Sequence, residues 1–134
     1  MKKLLLVVLF STLSGCALFD AYNMAGFDSN EYQLATEIRS MAEVSIKDCG
    51  NTVLMTPNVD SMLYVATEFK NYTSSIPHNE EATNMSKTLL LVVQGLSESY
   101  KTNSSPSEVY CTTKMSIIER SAKTIQTVLG TKPR

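Results

Sequence analysis

The sequence predicts an all-α protein that folds as a four-helix bundle, on three observations. Apolar residues recur with helical spacing in four separate stretches of the chain. The segments between these stretches are short and rich in Gly, Pro, Asn and Ser. Helix-start patterns precede the first and the last stretch, at Asp28 and at Ser105-Pro106. Amphipathic helices joined by short loops are typical of a bundle.

The first helix is predicted from about Ser29 to Cys49. Asp28 and Glu31 have the spacing of a capping box, in which the side chain of each residue accepts a hydrogen bond from the backbone amide of the other residue. Gly50-Asn51 is a plausible stop. A loop with Val53, Leu54 and Met55 follows, and the second helix is predicted to start at Thr56-Pro57, because Pro is favoured at the first helical position.

The second helix is predicted to fray from Asn71 to Ser75 and to end at Ile76-Pro77. The third is predicted from about His78 to Tyr100. The apolar run from Thr88 to Val93 would also suit a buried strand, but the helical spacing continues to Tyr100 and favours a helix.

The fourth helix has the clearest start, Ser105-Pro106-Ser107-Glu108, and ends at Gly130, which leaves 131–134 as a loose tail. The predicted core is the set of apolar residues that share one face of each helix. Its members are Leu34, Ile38, Met41, Ala42, Cys49, Val59, Met62, Val65, Ala66, Phe69, Ala82, Met85, Leu89, Val92, Val93, Leu96, Tyr100, Cys111, Met115, Ile118, Ala122, Ile125 and Leu129.

The N-terminus has the pattern of an export signal. Lys2 and Lys3 precede an apolar run from Leu4 to Phe10, which is too short to span a membrane as a helix. Leu13-Ser14-Gly15-Cys16 resembles the lipobox of bacterial lipoproteins. The resemblance implies that residues 1–15 are a cleaved signal peptide and that Cys16 carries a diacylglycerol and an N-acyl chain, with 16–28 as a tether. An ordinary signal peptide with a chance Cys is the alternative.

By the same resemblance, Ala17 after the lipidated Cys directs the protein to the outer membrane, with its domain in the periplasm. The remaining cysteines, Cys49 and Cys111, would then lie in an oxidising compartment, where disulfides persist. A disulfide between them is favoured over two free buried thiols. A zinc site is less favoured, because the chain has one His and no Cys-x-x-Cys.

No arrangement of residues predicts catalysis, so we expect a protein that is not an enzyme. The one histidine, His78, stands just after a proline at a predicted helix start, which is typical of a solvated residue. Glu80 and Glu81 are adjacent acids in a first helical turn, where acids are common. The net charge of −1 excludes a nucleic-acid binder steered by bulk charge. We also expect no metal, no small-molecule substrate and no cofactor apart from the lipid on Cys16.

Some apolar residues fall outside the predicted core faces, and a helix that is apolar on more than one side needs a second neighbour. They are therefore candidates for a partner-binding groove, although isolated exposed apolar residues and wide core faces are also common. The candidates are Val44, Ile46, Tyr64, Leu90, Leu91 and Ile117.

The segment from Ile46 to Asn51, which contains Asp48-Cys49, is followed by a proline-led helix at Thr56-Pro57-Asn58, and Ser105–Glu108 precedes Cys111. This pattern resembles the PulS/OutS-type pilotins of type II secretion. The resemblance implies a small outer-membrane lipoprotein, folded as a four-helix bundle, with a disulfide between the end of the first helix and the last helix.

The resemblance also implies the function. A pilotin binds the C-terminal tail of the secretin subunit, which becomes a helix in an apolar groove, and directs the secretin to the outer membrane for assembly. The alternative is a surface lipoprotein encoded by a phage or plasmid that blocks a receptor or excludes a second element. Such a protein needs the lipid anchor and a surface patch but no groove for a tail.

Overall fold

The computed structural model describes residues 24–102 and 106–134, and this part of the chain contains four helices and no strand. The helices are α1 (Ser29–Ser45), α2 (Thr52–Ser75), α3 (Glu80–Thr102) and α4 (Glu108–Gly130), and a 3₁₀ helix (Ile46–Asp48) follows α1. Helices α1 and α3 each pack against both α2 and α4. The predicted four-helix bundle is therefore confirmed.

The core consists largely of the residues that the helical spacing predicts. In the apolar run of α3, Leu89 and Val93 are buried while Leu91 between them is 67% exposed, so the run is helical and amphipathic. The alternative of a buried strand is thus excluded. The buried apolar residues are Ala35, Ile38, Ala42, Met55, Val59, Met62, Val65, Ala66, Phe69, Ala82, Leu89, Val93, Leu96, Cys111, Met115, Ile118, Ala122, Ile125 and Leu129.

Helix α2 begins one turn earlier than predicted. Its N-cap is Asn51, whose side chain accepts hydrogen bonds from the amides of Val53 and Leu54. The segment predicted as a loop is therefore the first turn of α2. Pro57 lies inside the helix, and because proline has no backbone N–H, the Val53 carbonyl lacks its helical hydrogen bond. That carbonyl belongs to a residue that is 82% exposed, so water can replace the missing partner.

The other predicted helix bounds also need correction. Helix α1 ends at Ser45, since the last residues before Cys49 form the 3₁₀ helix. Helix α2 continues as helix through Ser75. His78 has a φ of +59°, which is incompatible with a helix, so α3 begins after it and runs on to Thr102.

Helix α4 also begins later than predicted. Ser107 is its N-cap, because its hydroxyl accepts from the Tyr110 amide. Pro106 therefore precedes the helix rather than occupying its first position. Ser105, the predicted cap, lies outside the described residues, as do residues 1–23 with the predicted signal peptide and Cys16.

A disulfide joins two helices at one end of the bundle, as predicted. Cys49 follows the 3₁₀ helix, Cys111 lies in the first turn of α4, and their Cα atoms are 5.6 Å apart. Gly50 has a φ of +94°, in the region that favours glycine, and lies against the Glu108 side chain. The disulfide therefore fixes the end of α1 against the start of α4.

A buried ion pair lies at the opposite end. The Lys132 ammonium donates to the Glu31 carboxylate at 2.7 Å and to the Asn79 side-chain oxygen at 2.6 Å. Asn79 donates to Glu31 and to the Thr73 carbonyl. Glu31 is fully buried and Lys132 is 8% exposed. This cluster, which we call the ion-pair network, connects α1, the α2–α3 turn and the C-terminal tail.

Two predictions at this end are wrong because of the ion-pair network. The Asp28 side chain does cap α1, accepting from the amides of Asn30 and Glu31, but Glu31 does not complete a capping box, because its carboxylate binds Lys132. The tail 131–134 is not loose either, since Lys132 is buried beneath the start of α1.

The first described residues also lie against this end. The Ala25 amide donates to the His78 carbonyl at 3.1 Å, and the Phe27 amide donates to the Pro133 carbonyl at 2.8 Å. The Arg134 guanidinium lies 5.1 Å from the centroid of the Phe27 ring, a cation–π contact. Residues 24–28 of the predicted tether are thus bonded to the bundle.

We expect the Cys49→Ala/Cys111→Ala double variant to lose about 4 kcal/mol of unfolding free energy, because the disulfide restricts the unfolded chain across a long loop. Urea denaturation measures this loss, and the reduced native chain is the control that should lose a similar amount. Unchanged stability in both would contradict a structural role for the bond.

We expect Lys132→Met to lose about 3–5 kcal/mol of unfolding free energy, because it leaves the Glu31 carboxylate buried without its counter-ion. The matched variant Glu31→Gln/Lys132→Met removes both charges and should lose clearly less. Urea denaturation measures the loss of unfolding free energy in each of the two variants. Equal losses would show that the unpaired charge is not the cause.

Candidate partner-binding groove

An apolar groove lies between α3 and α4. Its volume is about 350 Å³, and no charged residue lines it. Leu89 and Ile125, both almost completely buried, and the half-buried Met85 form its floor. Its rim is Asn84, Thr88, Ser121 and Thr124.

Short side chains open this groove. Thr88 and Ser121 line the α3–α4 boundary and are too small to fill it. The Thr88 hydroxyl donates to the Asn84 carbonyl at 3.0 Å, and the Thr124 hydroxyl donates to the Arg120 carbonyl at 3.0 Å. Because these donors are already used within their own helices, an apolar ligand can cover them without leaving a buried donor unpaired.

An apolar row continues the groove along α4. At 100° per residue, Tyr110, Ile117 and Val128 lie on the same side of α4 as Ser121 and Thr124. Ile117 and Val128 are half-buried. Ile117, one of the predicted candidates, lies on this row four residues before Ser121.

A second groove lies near the disulfide end and contains another predicted candidate, Val44, which is 63% exposed. Its volume is about 440 Å³. Met41 contributes apolar surface, but Lys47 and Asp48 also line the groove, together with Ser40, Ser45 and Asn58. A ligand here would meet charges of both signs, so this groove suits an apolar helix less well.

The other four candidates do not join Val44. Tyr64 and Leu91 are exposed on the outer sides of α2 and α3, at 71% and 67%. Ile46 and Leu90 are partly buried and pack against the core, as the core interpretation expects. The six candidates therefore do not form one continuous surface.

Sequence reasoning missed several residues of interest. Apolarity does not select Thr88 and Thr124, because the groove forms where side chains are short. Val53 and Val109, exposed at 82% and 76%, lie in the first turns of α2 and α4 at the disulfide end. Val53 falls in a predicted loop, and its position just after the cap residue Asn51 is the signal that marks it as helical.

Charged and polar residues outside the grooves make structural contacts. Arg39 forms an ion pair with Glu119 at 3.3 Å and also donates to Gln126, which connects α1 to α4. Burial raises the pKa of the Tyr100 phenol. In residues 24–102 and 106–134, no three His, Cys, Asp or Glu side chains are grouped so as to hold a metal ion.

None of the described helices combines the length and the apolarity that crossing a membrane requires. Comparison with known protein families, with curated proteins and with solved structures finds no match for this chain. The functional argument therefore depends on the residues and on the geometry of the grooves.

Proposed function

We propose that this chain is a lipid-anchored outer-membrane protein that binds the C-terminal tail of a secretin and directs the secretin to the outer membrane, as PulS/OutS-type pilotins do. The observation that carries the proposal is the groove between α3 and α4, with its apolar floor and uncharged rim. The lipobox resemblance at Cys16 supports the anchor.

The groove suits an amphipathic helix. The row from Ile117 to Val128 on α4 extends for about 16 Å at 1.5 Å per residue, which is three helical turns. A helix laid along this row would place apolar side chains at intervals of three and four residues against Met85, Leu89 and Ile125. A secretin tail that folds only on binding would supply such a helix.

The bundle provides a rigid support for this groove. The disulfide fixes α4 at its start, through Cys111, and the ion-pair network fixes the residues just after its end, through Lys132. Both ends of the helix that forms one wall are therefore held. A preformed groove leaves the entropy cost of binding mainly with the tail.

The proposed anchor keeps the groove near the membrane. Seven residues lie between Cys16 and Met24, so the eight residue steps of the tether reach at most about 28 Å when fully extended. A secretin tail bound to the domain would therefore stay close to the membrane into which the lipid is inserted.

We expect Thr88→Asp and Thr124→Asp each to weaken the binding of a secretin-tail peptide at least about tenfold, because each places a charge over the apolar floor. Both residues are exposed, so the fold should tolerate the change. Titration calorimetry with the chain from residue 16 onward, carrying Cys16→Ser, measures the affinity.

Tyr64→Asp is the matched control, since it adds the same charge to an exposed position on α2, a helix that does not line the groove, and the affinity should stay within about twofold. Loss of binding in Tyr64→Asp alone would place the tail on the outer surface and contradict the groove assignment. An absence of binding by the unsubstituted chain would contradict the proposed function.

A further inference from the structure

The path of the N-terminal residues leads toward the α3–α4 groove. Traced backward from α1, the chain first bonds to Pro133, after α4, and then to His78, before α3. It therefore crosses the ion-pair end of the bundle and reaches Met24 beside the start of α3. The preceding residues leave from this point.

The groove opens close to that point. Asn84, its first lining residue on α3, is four residues after the start of α3 at Glu80, or about 6 Å along the helix. Tyr22 is three residues before Ala25 and can reach about 10 Å in extended conformation. The residues before Tyr22 can thus extend along the groove over Met85 and Leu89.

The sequence of this segment matches the chemistry of the groove. Residues 17–23 read Ala-Leu-Phe-Asp-Ala-Tyr-Asn, with three large apolar side chains, Leu18, Phe19 and Tyr22, and one charge. The groove has an apolar floor, no charged lining residue and a volume of about 350 Å³. Aromatic side chains contribute the largest burial per residue, which favours such a site.

We propose that residues 18–22 occupy the α3–α4 groove in the free chain. The contact is intramolecular and follows a linker of two residues, so the effective concentration of the segment is in the millimolar range. A weak apolar contact is then sufficient to cover the groove. An external ligand for the groove must displace this segment, and displacement releases the tether to its full reach.

The other described grooves fit less well. The groove between the end of α2 and the start of α3 is lined by Glu80 and Lys87. The groove between α1 and α2 is lined by Glu37 and Glu68, and the groove at Val44 lies toward the disulfide end of the bundle. A second copy of the chain could also cover the α3–α4 groove, but it lacks the advantage of proximity.

A single introduced tryptophan tests the proposal, because the chain contains none. The chain from residue 16 onward, with Cys16→Ser and Thr124→Trp in the groove rim, serves as the reporter. We expect its emission to be blue-shifted and its acrylamide quenching to at least double when Leu18→Asp/Phe19→Asp is added. Thr88→Trp repeats the measurement from the other wall.

Two controls make the result specific. Ala17→Asp/Asn23→Asp adds the same two charges to the segment and should leave the emission unchanged, and Tyr64→Trp, on the exposed side of α2, should not respond to either pair. Emission that is indifferent to Leu18→Asp/Phe19→Asp in both groove reporters overturns the proposal. A shift that depends on protein concentration also overturns it, since the occupant is then a second copy. Because no secretin peptide is present, neither outcome bears on the proposed function.

Discussion

The ion pair between Lys132 and Glu31 is the interaction on which the arrangement of this bundle depends most. Burying two charges is costly unless each is paired and hydrogen-bonded, and here Asn79 satisfies both partners. The pair consequently fixes three segments that are far apart in sequence. It holds the tail beneath α1, and the docked tail in turn offers the Pro133 carbonyl that orients the chain before Asp28.

The opposite end is held covalently, and the surfaces between the two ends take their character from this arrangement. Helix α4 is fixed by Cys111 at its start and next to Lys132 at its end. The α3–α4 boundary instead contains short side chains such as Thr88 and Ser121, which leave a groove open. A groove with one firmly held wall is a suitable receptor for a helix that folds as it binds.

Local patterns predicted the helices and the core because helical spacing directly reports which side faces inward. The Cys49–Cys111 disulfide was also predictable, because the lipobox resemblance implies an oxidising compartment and leaves these two cysteines to pair. The buried ion pair was not predictable in the same way, because Glu31 has the spacing of a local capping residue while its partner Lys132 is 101 residues away. Groove prediction failed for a different reason. Leu90 is predicted to line a groove because it is apolar and lies outside the core face, but it packs on the core. The groove forms instead at Thr88, because its side chain is short.

Secretin localisation in cells is the most direct test of the account. In a strain that lacks this chain, we expect membrane fractionation to find secretin multimers in the inner membrane. The unsubstituted chain should restore them to the outer membrane, and Cys16→Ser should not. Secretin multimers that assemble in the outer membrane without this chain would contradict the proposed function.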